Sequence, residues 1–581
     1  MSLIAELKRR SVFKVGAAYL VVGWLAVQAA SIGFPAFDAP VWALRVFIFV
    51  LLIGFPLALV MAWMFVVTPE GVRVEMASIG NARIFALAAV LVALAIGWYL
   101  RGQPAVLGAS TEPRSIAVLP FVNMSGDPEN EYFSDGISEE ILNVLAQTPE
   151  LRVAARTSSF AFKGENKEIP EIARELEVRM VLEGSVRKQA DHVRITAQLV
   201  DAENGFHVWS QTYDRELKDI FEIQDEIARA IALELQVKLG GAARAESTSV
   251  AAYDLYLKGI ARWQARGQSN LREADRLFRA AIALDPGFAK AWAGIALTHV
   301  ILPEWSSDPI AESFPIARDA AEHASAIDPN LPEPYAVLGT IAYAELRFAT
   351  GRRMFERALA LAPSYATGAQ WFGEMLDSEG DQAKAVELAR RAVRLDPISL
   401  VVRDAYARAL FHSGRDAEAL VVCNAVLSED PRWNACLGMK FDLALQRKDY
   451  AAARATLRQI AAAGGPAALV LADQMIDLLE GRGDAPTITG RFTRMQAGAG
   501  GSDDYLPVSP KSAILWFTAI GRNDLALESY AGYARKLPHM ARILVFDPHF
   551  GGLRCEEGYR DILVALKVDE AQMTSTCEPG A

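Results

Sequence analysis

The chain has little of what most chemistry needs. Seven histidines and four cysteines are scattered through 581 residues. No His-Glu-x-x-His helix, no phosphate-cradling Gly-x4-Gly-Lys-Ser/Thr loop and no Gly-x-Ser-x-Gly elbow occurs. The cysteines form two local pairs, Cys423 with Cys436 and Cys555 with Cys577, and neither has the Cys-x-x-Cys spacing of a metal or redox site. No metal, cofactor or catalytic residue is therefore expected. Basic excess is also missing. Up to Arg114 there are nine Lys/Arg and five Asp/Glu (+4), which leaves 50 basic and 65 acidic residues (−15) for the remainder. A segment that acidic is a poor match for nucleic-acid phosphates.

Apolar sequence is plentiful, and it is concentrated near the N-terminus. Three runs, at about 15–32, 41–67 and 84–100, each approach the roughly 17–25 residues of a membrane-crossing helix. The turn-rich segment from Pro35 to Pro40 makes the first two a helical hairpin. Lys8, Arg9, Arg10 and Lys14 precede the first run. The first loop has no Lys or Arg, and the second has Arg73 and Arg83. The positive-inside rule then predicts a cytoplasmic N-terminus and an anchor (residues 1–100) that delivers everything beyond Arg101 to the far side. A cleaved signal peptide is the competing reading of the first run, although no convincing Ala-x-Ala site follows it. Residues 101–114, rich in Gly, Pro, Ser and Thr, read as a tether.

Residues 115–240 alternate strand and helix signals. Ser115 to Phe121 is a short apolar run, and a helix over Ile137–Ala146 follows it. Leu151–Arg156 reads as a strand and Ile169–Glu177 as a helix. Met180–Arg187, Val193–Asp201 and His207–Tyr213 alternate in character, with turns at Gln189-Ala190-Asp191 and Glu203-Asn204-Gly205, which predicts an antiparallel meander. Phe221–Leu239 is an amphipathic closing helix. Trp209, Tyr213 and Arg215 either form a small ligand surface or pack on that helix.

The segments SIAVLPFVNMSGDPENEYFSDGISEEILNVLA, VLEGSVRK, VRITAQLVDAENGFHVWSQTYDR and FEIQDEIA resemble the TolB-amino-terminal-like domain. That domain occurs in bacterial membrane proteins, typically ahead of tetratricopeptide repeats. The N-terminal stretch ELKRRSVFKVGAAYLVVGWLAVQAA…GFPLALVMAWMFVVTPEGV resembles the anchor of the same proteins. The resemblance implies an integral protein of the bacterial inner membrane with periplasmic C-terminal domains. Some relatives carry a winged-helix or nucleotide-cyclase domain before the first span. Only about a dozen residues stand there in this chain, so neither activity is expected of it.

Beyond residue 253 a different period takes over. Prolines fall at 329, 363, 397 and 431, in steps of the 34 residues that mark a tetratricopeptide repeat. Before each proline, and before Pro286, small or apolar residues return at spacings of four and three. Examples are Ala274, Phe278 and Ala281; Gly351, Phe355 and Ala358; and Ala419, Cys423 and Val426. Such residues share one helix face and let two antiparallel helices approach. The expected fold is thus multidomain: three transmembrane helices, a small α/β domain and an all-α repeat solenoid over 253–540. One repeat at about 465–512 is degenerate, and a helical cap and tail fill 541–581. Nine extra residues between Pro286 and Pro329 suggest a longer loop at Pro303–Pro309. Cys423 and Cys436 fall on packed neighbouring helices, so they read as a disulfide or as two buried thiols.

First helices line the concave wall of such a solenoid. Counting along them places Thr340, Tyr343, Gln370, Glu374, Asp377, Asp404, Arg408, Phe411, His412 and Asp442 at exposed inner positions. Their acidic excess fits a groove for a basic or polar peptide, and a solvated helix face would have the same composition. His539 and His549 read as surface groups. These features point to a non-enzymatic membrane scaffold or adaptor that binds partner proteins through its repeats. The alternative is a signal-sensing receptor whose α/β domain binds a ligand.

Overall fold

The computed structural model describes residues 114–237, 248–306, 308–496 and 506–568, with scattered positions between 15 and 74. The chain divides into two compact units, Met1–Glu112 and Pro113–Ala581. In the first unit the described positions from Val15 to Ala58 are helical. The Tyr19 hydroxyl donates to the Leu51 carbonyl at 2.9 Å, and its ring lies 5.7 Å from that of Phe55. The first two apolar runs therefore touch, as a helical hairpin requires. The second run ends sooner than its hydropathy suggests: Phe65–Thr68 (β1) pairs antiparallel with Gly71–Val74 (β2). Thr68 precedes a proline, which disfavours helical backbone, and the valines of both segments suit a strand. The third run, 84–100, and the tether lie outside the described residues. Among those described, the one helical stretch long and apolar enough to cross a membrane is Tyr450–Leu479. It is broken by a 3-10 turn, and its inner face packs in the core of the second unit.

The second unit opens with a mixed sheet in the order β5-β3-β6-β7-β8. β3 (Arg114–Val118) runs parallel to β5 (Leu151–Val153) and β6 (Met180–Gln189). The short β4 (Val122–Asn123) also pairs with β6. The predicted meander is present as β6, β7 (His192–Asp201) and β8 (His207–Glu216), all antiparallel. Alternation along β3 sends Ile116 and Val118 to one face and Ala117 to the other. The first face is covered by α1 (Glu131–Ala146) and α4 (Ile220–Glu234). The second is covered by the segment from α2 (Arg156–Phe160) to α3 (Ile169–Glu175).

Helical hairpins then stack in order: α5 (Val250–Ala265) with α6 (Gln268–Leu284), α7 (Ala289–Trp305) with α8 (Ile310–Ile327), and α9 (Pro332–Ala344) with α10 (Phe348–Leu361). They continue as α11 (Ala366–Glu379) with α12 (Gln382–Leu395), α13 (Leu400–His412) with α14 (Asp416–Glu429), and α15 (Asn434–Gln446) with α16 (Tyr450–Ala461). The repeat positions read from the sequence are those that vanish into the stack: Ala274, Phe278, Phe355, Ala385, Ala419 and Cys423 are each fully buried. Gly259 and Gly294 make room for the Phe278 ring, since a Cβ on either would come within 2.7 Å of it. The nine extra residues are not a loop. They lengthen α7 and α8 to 17 and 18 residues, against 13 and 14 in the next hairpin, and place Pro303 in the last turn of α7. Cys423 and Cys436 are joined as a disulfide with Cα atoms 5.3 Å apart, tying α14 to α15. Cys577 lies outside the described residues.

The repeat that blurs in the sequence is a hairpin, α17 (Gly465–Leu479) and α18 (Ala485–Gln496). After it, α19 (Pro510–Ala519) reaches back to pack on α15. The path therefore bends inward. α20 (Asn523–Lys536) and α21 (Pro538–Phe546) follow, with α21 lying against α11 and α9; a 3-10 turn (Pro548–Leu553) and α22 (Tyr559–Ala565) complete the described chain.

The sheet and the first hairpins of the solenoid share one core. A single buried cluster runs from Ile116 and Leu145 through Tyr256 and Phe278 to Ile341. Polar contacts reinforce it. Ser364 Oγ accepts from the Val153 amide (3.1 Å) and donates to the Leu151 carbonyl (3.0 Å). Ser158 donates to Asp396 (2.6 Å), and Lys290 pairs with the buried Glu140 (2.6 Å).

Candidate functional site

The ten groove residues come from first helices, as expected: Thr340 and Tyr343 from α9, Gln370, Glu374 and Asp377 from α11, Asp404, Arg408, Phe411 and His412 from α13, and Asp442 from α15. They do not form an open acidic wall. Tyr343, Asp377, Asp404, Phe411, His412 and Asp442 are all buried. The physical reason is the inward bend after α18, which lays the chain's own C-terminal helices across these positions.

His539 and Arg542 of α21 make the central contacts. The His539 carbonyl accepts from Ser378 Oγ (2.6 Å) and from the Tyr343 hydroxyl (3.5 Å), and the two rings meet edge-on at 4.7 Å. Arg542, only 4% exposed, donates to the Ser378 carbonyl (3.1 Å) and the Leu566 carbonyl (2.8 Å). Its guanidinium lies 4.8 Å from the Phe348 ring centroid, a favourable cation–π arrangement. Gly380 caps α11 at φ 97°, and the Phe546 ring rests against it where a Cβ would be 2.8 Å away. Gln382 bridges the His412 and Phe546 carbonyls. His539 is no surface group: burial pushes its imidazole down to about 4.

Charge is compensated within this face. Arg408 pairs with Glu374 (2.9 Å) and Asp404 (3.1 Å). Burial works against its charge, but these carboxylates outweigh burial and hold its pKa above the usual value. Gln370 contacts Glu374, and Thr340 bonds back to its own helix. His412 Nδ1 lies 2.5 Å from Asp377. Deeper in, Asp547 is fully buried at the start of the 3-10 turn. It meets Lys511 (2.8 Å) and His549 (2.6 Å), with His412 at 3.9 Å. Burial would raise the Asp547 carboxyl, but Lys511 and the His549 bond overcome burial and hold it well below the usual range. His549 also reaches Asp416 (3.2 Å) and stacks on Phe411 at 4.1 Å, so it too is internal.

Asp442 behaves oppositely: burial pushes it up to about 7, only partly offset by Lys511. Between roughly pH 4 and 7 the folded protein then holds a proton that the unfolded chain has released, so this group's effect is to lower stability as pH rises through that window. Asp442→Asn should remove that decline. Relative to the parent, the variant gains about 2–3 kcal/mol between pH 5 and pH 8, at about 1.4 kcal/mol per pKa unit. Urea denaturation at both pH values measures it, and equal pH dependence in the two proteins contradicts it.

Arg542, Asp547, Lys511, Ser378 and Gln382 were not anticipated from the sequence. Asp547-Pro548 is a local turn signal, but nothing within a few residues of Ser378 points to an arginine 164 positions away. On the sheet, Tyr213 is buried, Trp209 is partly buried against the same core, and Arg215 pairs with Glu226 on α4 (3.5 Å). That cluster faces the closing helix, with Arg215 still exposed.

No family model matches the chain. It is 42% identical over 236 residues to putative adenylate cyclase 3 of Rhizobium meliloti (strain 1021), a match covering 38% of this chain and 40% of that protein. The chain thus spans well under half the length of this curated relative. Among solved structures it overlaps Pseudomonas aeruginosa pilF (18% identical, 38% of this chain and 95% of that one, TM-score 0.30). It also overlaps the PelC dodecamer subunit of Paraburkholderia phytofirmans (20% identical, 22% and 90%, TM-score 0.16).

Proposed function

We propose that the protein is a non-enzymatic, membrane-anchored adaptor that holds partner proteins on its repeat solenoid. The observation that carries this reading is the array of 34-residue hairpins built onto the sheet as one cored body, a large rigid surface suited to protein contacts. In this proposal the three apolar runs of residues 1–100 are spans, the N-terminus is cytoplasmic, and the α/β domain and solenoid are periplasmic. The α/β domain is of the TolB-amino-terminal-like kind and serves as a second contact surface. The receptor alternative is the less favoured reading, because Tyr213 is buried and Trp209 packs on the same core. The cyclase named for the relative is not carried over, since the match covers less than half of that protein.

Photo-crosslinking in intact cells, from exposed convex positions such as Glu322 and Glu356, tests the reading. Reproducible capture of the same periplasmic proteins is expected. Capture of none, or formation of cyclic AMP from ATP by the purified full-length protein, overturns it.

A further inference from the structure

The chain's own C-terminal helices cover much of the concave face, which turns attention to surfaces outside it. A groove of about 800 Å³ opens between α20, α22 and the turn after α9, within the range of about 300–1,000 Å³ typical of ligand pockets. Its floor is apolar: Leu527, Ala531 and Ala534 from α20, Ile562 and Ala565 from α22, and Leu346 from the turn. Leu527, Ala531 and Leu346 are only half-buried and Ala565 is exposed, so among the described residues part of this apolar surface stays uncovered.

The rim is mildly acidic. Four acids (Glu345, Glu528, Glu557 and Asp561) and two bases (Arg535 and Lys567) line it; with Glu345 taken up by its own partners, three acids stand against two bases, a balance of −1. Glu345 is engaged by Arg318 and Arg347. Glu528, Glu557 and Asp561 are exposed and form no ion pair among the described residues. Two helices flanking an apolar trough, with free acids along both edges, complement a helix with one apolar face and cations on its flanks. The chain's own tail, which leaves from Val568 beside this groove, has the wrong charge. Residues 569–581 contain Asp569, Glu570 and Glu578 and no Lys or Arg.

We propose that the groove between α20 and α22 docks a basic amphipathic helix of a partner protein. This rests on the adaptor reading and supplies the partner's chemistry. It is tested with defined probes: full-length protein in phosphatidylcholine nanodiscs, against empty nanodiscs, titrated with a photoreactive 18-residue Leu/Lys amphipathic peptide and its Leu/Glu counterpart. The Lys peptide should bind saturably, at least tenfold more tightly than the Glu peptide, and crosslink to α20 and α22. The exposed double variant Glu528→Lys/Asp561→Lys should weaken it at least fivefold. The same reversal at the exposed Glu171 and Glu203 of the sheet domain should change it less than twofold.

Absence of binding, crosslinks confined to other surfaces, or equal loss in the sheet-domain variant overturns the proposal. Binding that appears only after residues 569–581 are removed also overturns it, by making the tail the occupant. If the probes fail while partner capture in cells persists, this surface is eliminated and the adaptor reading stands.

Discussion

Asp547→Ala is expected to be the most damaging single substitution at the C-terminal closure, costing about 3–5 kcal/mol of stability. The carboxylate is fully buried and meets Lys511, whose side chain is only 17% exposed, so its removal strands a buried cation. His549 loses the acceptor 2.6 Å from Nδ1, and the 3-10 turn at Pro548 loses its capping group, itself worth about 1 kcal/mol. Asp547→Asn keeps a side-chain oxygen for the cap and should cost less than the alanine variant. Chemical denaturation measures both, and a loss under about 1 kcal/mol for alanine contradicts the arrangement. The pH sign is fixed by the depressed carboxyl: its contribution is present above about pH 4, the ordinary Asp range, and is lost as pH falls through the folded value.

Phe278→Ala should have a comparable effect at the other end, also about 3–5 kcal/mol. The ring is fully buried and fills the space left by Gly259 and Gly294, in contact distance of the Tyr256 ring at 6.0 Å between centroids. Positions 259 and 294 have no side chain to refill that slot, so a cavity is expected. Because this cluster continues into Ile116 and Leu145 of the sheet domain, the sheet and the first hairpins of the solenoid should unfold together. Far-ultraviolet circular dichroism and the fluorescence of a probe on β8 should report one shifted transition. Two separated transitions, or a solenoid that melts while the sheet persists unshifted, would show that the core is not continuous.

The repeat architecture was legible because its signal is local. Ala274, Phe278 and Ala281 sit on one helix face at four and three residues, and a proline break 34 residues on needs no tertiary knowledge to read. The meander was legible for the same reason, through alternation at spacing two. Helix α2 was not: Arg156-Thr157-Ser158-Ser159-Phe160 has no apolar period and is held by contacts to the 394–398 turn, such as Ser158 to Asp396. Pro303 was misread because proline punctuates loops more often than it ends a long helix.

The groove illustrates the limit most clearly. Asp377, His412 and Asp442 have the composition of a wet helix face, and they are buried because the segment carrying Lys511, His539, Arg542 and Asp547 arrives from far along the chain to cover them. Local pattern records which residues share a face. It does not record what covers that face.

The closed concave face is tested most directly by hydrogen exchange on the full-length protein. A nine-residue helix such as Pro538–Phe546 is marginal in water by itself, so slow amide exchange there requires docking. Protection of peptides covering 538–548 comparable to that of α11, lost in Asp547→Ala, is the expected result. Exchange of 538–548 at the rate of an unstructured segment, with α11 and α13 still protected, would show the groove open and contradict the fold described here.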